Sequence, residues 1–221
     1  MADDVSYSVA DIRRFLDEDF ENFYNYISED RKKRADSMKL SNDRKLSILA
    51  SFQLERLLEG MGISKPFRYT TLPGGKPVLE GEDVFFSISH SGNFAAAVVS
   101  DKYSVGIDVE DLYGKKRDPK RLKSVAEKFF LPEEVEFIEK AKENENRPFD
   151  PDEGLINQGM HPGRIETFYR IWTMKEAYMK AIGKPLLEVF REKKYDENDV
   201  ALTQKHSSEA VFSIYRVVPE K

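Results

Sequence analysis

Residues Val105-Gly106-Ile107-Asp108-Val109-Glu110 alternate apolar side chains with glycine and acids. In extended backbone, successive side chains point to opposite faces. Val105, Ile107 and Val109 therefore enter a core, while Asp108 and Glu110 emerge together on the other face. The two carboxylates are two strand rises apart, ~6.5 Å along the backbone. Anions held that close repel unless a cation sits between them. One reading is a solvated polar face at a strand end. The other is a divalent-cation site, because hard oxygen donors suit Mg²⁺. This stretch alone leaves both open.

Composition narrows the choice of chemistry. The 221 residues contain no cysteine, which excludes disulfides, thiolate nucleophiles and Cys-ligated zinc. Only His90, His161 and His206 are present, too scattered for a histidine-rich metal site. A net charge of −5 gives no global basic field for DNA or RNA. The acidic N-terminus lacks the apolar run of a signal peptide, and no stretch reaches membrane-spanning length, so a cytoplasmic location is expected.

The periodicity predicts a mixed chain. Residues 8–28 read as an amphipathic helix, with Ser8 and Asp11 resembling a capping box. Arg31-Lys32-Lys33-Arg34 follows: a solvated helix face, or a local anion clamp on an acidic protein. A helix spans Asp43 to Gly60. Phe67 to Thr70 is a short strand, and Pro73-Gly74-Gly75-Lys76-Pro77 is a turn. Such a turn is either an ordinary hairpin or a place where backbone and ammonium approach a phosphate. Strands at 83–91 and 95–99 come next, joined at Gly92-Asn93, and a hairpin is expected to deliver the acidic strand. Helices are expected from Pro119 to Phe130, from Pro132 to about Lys142, and at 165–182. Residues 144–163, rich in Pro, Gly, Asn and acids, read as a long loop. Leu186–Phe190, Asp199–Leu202 and Ala210–Val218 read as strands. On the last long helix, Glu176 and Lys180 are one turn apart, either a surface ion pair or a third carboxylate beside a phosphate-directed lysine.

Taken together these segments resemble a family. Gly106-Ile107-Asp108-Val109-Glu110, followed about 65 residues later by Trp172-Thr173-Met174-Lys175-Glu176-Ala177-Tyr178-Met179-Lys180, is similar to the paired signature of the 4′-phosphopantetheinyl transferase superfamily. Gly75-Lys76-Pro77 and Phe86-Ser87-Ile88-Ser89-His90-Ser91 resemble motifs of its longer, Sfp-type branch, although Ser87 stands where many of those proteins carry asparagine.

The resemblance implies an α+β fold of two similar halves related by a pseudo-twofold axis, 1–104 and 105–221, with coenzyme A between them. It implies an enzyme of the holo-acyl-carrier-protein synthase type, acting as a monomer. Asp108, Glu110 and Glu176 would hold Mg²⁺, and Lys180 would assist the leaving phosphate. Lys76, Ser89 and His90 would hold the nucleotide and its phosphates, and Arg31, Arg34 and Arg44 the 3′-phosphate. Glu134 would be the base for a serine of an apo acyl or peptidyl carrier protein. Three rival readings remain: a metal-dependent phosphohydrolase acting on coenzyme A or a related nucleotide, a catalytically idle coenzyme A binding module, and a relative of the short, trimeric fatty-acid-type transferases.

Overall fold

A computed structural model describes residues 4–72, 75–112, 119–141 and 162–219. Its frame is two three-stranded antiparallel sheets lying against each other. The first contains β1 (Ser6–Asp11), β4 (Phe85–Ser91) and β5 (Phe94–Ser100), in the order β1-β5-β4. The second contains β6 (Ser104–Asp111), β7 (Leu202–His206) and β8 (Ala210–Val217), in the order β6-β8-β7. A small ribbon of β2 (Tyr69–Thr71) and β3 (Pro77–Leu79) lies between α3 and β4 in the chain. The helices are α1 (Asp17–Tyr26), α2 (Glu29–Asp36), α3 (Ser41–Gly60), α4 (Pro119–Phe129), α5 (Pro132–Lys140), α6 (Pro162–Ile182) and α7 (Leu186–Glu192).

Both sheets follow one connection rule. A first strand leads into helices, the chain returns as a hairpin, and the last strand pairs with the first. The strands β5 and β6 are apolar on the faces they turn toward each other. Ala96 and Val98 of β5 meet Val105, Ile107 and Val109 of β6, all at most 1% exposed. The opposite face of β5 serves α3: Ala95 packs with Ile48 and Leu49, and Ala97 and Val99 with Leu54 and Leu58. A run such as Phe94-Ala-Ala-Ala-Val-Val-Ser100, buried on both faces, is what a central strand between a helix and a second sheet requires.

Several expectations are corrected. Residues 8–28 are not one helix: Ser6–Asp11 pair with β5 through six residues of antiparallel register, and only Asp17–Tyr26 are α-helical. Asp11 caps a 3-10 turn at Ile12–Arg14, accepting from the Arg13 amide at 2.9 Å, so Ser8 opens no capping box. Leu186–Phe190 is helix α7, led in by Pro185, with Val189 and Phe190 turned into the core. Asp199–Leu202 is mostly turn: the Ala201 amide donates to Asp199 Oδ1 and the Leu202 amide to the Asp199 carbonyl, both at 2.9 Å, and the strand begins at Leu202. No hairpin joins β5 to β6, because they belong to different sheets; Ser100 Oγ instead accepts from the Lys102 and Tyr103 amides in the crossing turn. The expected 144–163 loop lies outside the described residues except for the first two residues of α6, as do Pro73 and Gly74 of the Gly-Lys turn and His161.

Candidate active site

The geometry begins at Gly106. A Cβ built there would stand 1.9 Å from the Ala177 carbonyl oxygen and 2.6 Å from the Ala181 amide nitrogen, both backbone atoms of α6. Only a residue without a side chain lets β6 lie this close to the helix. The face of α6 that carries Glu176 and Lys180 is thereby pressed onto the face of β6 that carries Asp108 and Glu110.

Lys180 does not pair with Glu176 along the helix. Its Nζ donates to Asp108 Oδ1 at 2.7 Å, and to Ser89 Oγ and the Ile107 carbonyl, each at 3.1 Å. Ser89 Oγ also donates to Asp108 Oδ1, at 2.7 Å, and Ser91 Oγ donates to Glu110 Oε2, at 2.6 Å. Glu176 faces the same group. Burial, then the charges of Asp108 and Glu110, push its pKa up to about 7 against the opposing pull of Lys180. Like charges gathered with too little positive charge produce this pattern.

Whether these residues fit a divalent cation can be asked of the donor set itself. Asp108 Oδ2 is buried with no hydrogen-bond partner, and burial, then the charges of Asp108 and Glu110, raise the Glu176 pKa to about 7. Both features fit a missing positive charge. Among the described residues no three acid or histidine side chains are already drawn together as a ligand set. The carboxylates are thus not preassembled as a ligand set, and Lys180 supplies a cation to Asp108.

Beside this group opens a cleft of about 710 Å³. Arg31 and Arg34 of α2 line it together with Lys76, Lys180 and Lys184. Arg31 is 6% exposed, its guanidinium 4.4 Å from the Tyr69 ring centroid, and its Nε and one terminal nitrogen lack partners. A buried arginine stacked on an aromatic with open donors is a ready anion contact. Arg34 and Lys184 are exposed and make no ion pair among the described residues. Lys184 was not anticipated, yet Gly183-Lys184-Pro185 repeats Gly75-Lys76-Pro77, and both turns line the cleft with their glycines at φ +69 and +87.

Other sequence candidates are placed differently. Lys76 lines the cleft, but its ammonium donates to Ser104 Oγ at 2.9 Å and to the Ala181 carbonyl at 2.8 Å, and burial lowers its pKa to about 8. His90 is exposed and is not among the cleft-lining residues; the protein packed around its ring lowers its pKa, Lys180 and Arg34 lower it further, and Asp43 and Asp108 oppose them. Arg44 is not among the cleft-lining residues; it pairs with Asp36 at 3.0 Å and stacks over Tyr24.

Glu134 is 3% exposed and its carboxylate is fully engaged. It accepts from the Leu131 amide at 2.9 Å, the Tyr195 amide at 2.7 Å and Lys175 Nζ at 2.8 Å. Lys175, fully buried, also donates to the carbonyls of Phe190 and Lys193 at the end of α7. The pair ties α5, α6 and α7 together and leaves Glu134 no free oxygen for a base. Glu134→Ala is expected to cost about 3–5 kcal/mol in urea unfolding, because a buried ammonium loses its partner. A loss below 1 kcal/mol would contradict the structural post.

A family model for the 4′-phosphopantetheinyl transferase superfamily matches residues 104–216, just over half the chain, from the start of β6 to the penultimate residue of β8. The chain belongs to this superfamily.

Among curated relatives, the 4′-phosphopantetheinyl transferase HetI of Nostoc sp. is 32% identical over 154 residues, covering 66% of this chain and 53% of HetI. The 4′-phosphopantetheinyl transferase Sfp of Bacillus subtilis is 26% identical over 220 residues, covering 96% of this chain and 87% of Sfp. The L-aminoadipate-semialdehyde dehydrogenase-phosphopantetheinyl transferase of Xenopus laevis is 33% identical over 129 residues, covering 58% of this chain and 35% of that protein. The chain spans about half the length of HetI and of the Synechocystis relative it matches. The mixed helices and antiparallel sheets agree with the α+β expectation for this superfamily. Among the described residues no helix is long and apolar enough to cross a membrane.

Proposed function

We propose that this chain transfers the 4′-phosphopantetheine arm of coenzyme A to a serine of an apo acyl or peptidyl carrier protein, releasing 3′,5′-ADP. The observation that carries the reading is the juxtaposition of an anion-seeking cleft with a cation-seeking carboxylate group, joined by Lys180. Coenzyme A is a polyanion on one side and a reacting phosphate on the other, so its recognition needs both. The names of the relatives point the same way.

In this reading Asp108, Glu110 and Glu176 hold a Mg²⁺, which on binding neutralises charge on the pyrophosphate. Arg31, Arg34 and Lys184 hold the nucleotide phosphates, with Arg31 the best placed because its guanidinium is oriented by Tyr69 before ligand arrives. The serine oxygen forms a bond to the β-phosphorus as the bond to the departing 3′,5′-ADP breaks. Lys180 turns to that departing phosphate one of the three protons it otherwise gives to Asp108, Ser89 and the Ile107 carbonyl. The serine proton goes to a carboxylate of the Asp108–Glu110–Glu176 group, since Glu134 is occupied. The enzyme is expected to act as a monomer in the cytoplasm, with both walls of the cleft supplied by one chain.

The test is incubation with coenzyme A, Mg²⁺ and an apo carrier, read by intact mass. A gain of one phosphopantetheine supports the reading; an unchanged carrier with hydrolysed coenzyme A supports the phosphohydrolase. Arg31→Ala is expected to raise the Kd for coenzyme A roughly 10- to 100-fold, the value of a lost charge-assisted hydrogen bond. Calorimetry in EDTA measures it, and a change under threefold would remove Arg31 from the ligand contacts.

A further inference from the structure

The acids of β6 are held by donors from the other sheet at a nearly constant sequence offset. Ser89 donates to Asp108 at 2.7 Å and Ser91 to Glu110 at 2.6 Å, each 19 residues apart. Asn93 then donates its amide and side chain to Asp111 at 2.9 and 3.1 Å, 18 residues apart. Ser87 stands at the same offset of 19 from Gly106 (106 minus 87), the position where β6 meets α6. The strands β4 and β6 belong to different sheets, so backbone pairing does not fix their register. The hydroxyls do. Their period of two matches the period of the acids.

We propose that Ser89 and Ser91 are positioning residues, which hold Asp108 and Glu110 in the orientation that receives a divalent cation. Ser89 has no proton left for a phosphate, because its hydroxyl donates to Asp108, and it also accepts from Lys180 at 3.1 Å. Ser91 holds one oxygen of Glu110 at 2.6 Å. Hydroxyls supporting ligands in this way set metal affinity within a range of roughly 10- to 100-fold. The proposal rests on the cation reading given above.

Mn²⁺ is the probe, titrated with the full chain and coenzyme A and read by loss of the free-ion paramagnetic resonance signal. Ser91→Ala is expected to weaken Mn²⁺ binding about 10-fold, and Ser91→Thr to restore it within threefold. Ser89→Ala is expected to weaken Mn²⁺ binding similarly. If alanine loosens β4, Ser91→Val against Ser91→Thr repeats the comparison at equal shape. Unchanged Mn²⁺ binding in Ser91→Ala overturns the proposal and leaves the cation reading standing. Loss of coenzyme A affinity in EDTA with unchanged Mn²⁺ binding also overturns it, by making the hydroxyls nucleotide contacts. An unsubstituted chain that binds no Mn²⁺ overturns the cation reading and the proposal together.

Discussion

Glu176→Gln is expected to lower carrier modification by roughly 10³-fold while raising the melting temperature above about pH 7. The two effects share one cause. Burial and the charges of Asp108 and Glu110 raise the Glu176 pKa from 4.5 to about 7. Between those values the folded chain keeps a proton that the unfolded chain has lost. The associated stability is fully present below about pH 4.5 and is lost as pH rises through about 7. Glutamine cannot ionise, so it removes this slope and relieves the repulsion, and with it the reason for a cation to bind. Metal-free thermal melts from about pH 5 to pH 8 should show the parent falling and the variant level. A divalent cation should raise the parent at pH 8 and leave the variant unmoved. A variant that is less stable at pH 8, or that still modifies its carrier at the parent rate, would remove Glu176 from the site. A residue that weakens the fold where it serves the reaction is a common mark of a functional position.

What was legible in the sequence follows from how local each cause is. The elements β6 and α6 read correctly because their periods of two and about 3.6 persist over eight and 21 residues. The carboxylate pair and Glu176 with Lys180 could be placed on faces by counting alone. Leu186–Phe190 failed because five largely apolar residues fit either period, and Pro185 with the carbonyl-capping Lys175 decides for helix. Ser6–Asp11 failed because its strand character comes from β5, more than 80 residues away. Side-chain destinations were the least legible. Ser89 turns to Asp108, Lys76 to the end of α6 and Arg44 to Asp36, each settled by a partner that packing supplies. Lys184 had a readable signal, the second Gly-Lys-Pro, whose weight became apparent only once both turns lined one cleft.

Gly106→Ala is expected to be the most damaging added methyl among the described glycines. The added Cβ would sit 1.9 Å from the Ala177 carbonyl oxygen, 2.6 Å from the Ala181 amide nitrogen and 3.0 Å from the Ala177 carbonyl carbon. All three atoms are helix backbone, so no side chain can rotate away. Relief requires α6 to lift off β6, and Ile107, Ile171, Met174 and Ala177, each at most 1% exposed, would have to follow. Overpacking of a core side chain costs about 1–3 kcal/mol, and a clash with fixed backbone belongs at or above the upper end. At roughly 2–4 °C per kcal/mol for a chain of this size, the melting temperature should fall by about 10 °C. The same displacement moves Glu176 and Lys180 away from Asp108, so carrier modification should be lost even at temperatures where the variant stays folded. Urea unfolding and intact-mass assays on one preparation separate the two effects. A variant within about 2 °C of the parent would mean that β6 and α6 are not locked at this distance, and that the carboxylate group is assembled by something other than Gly106.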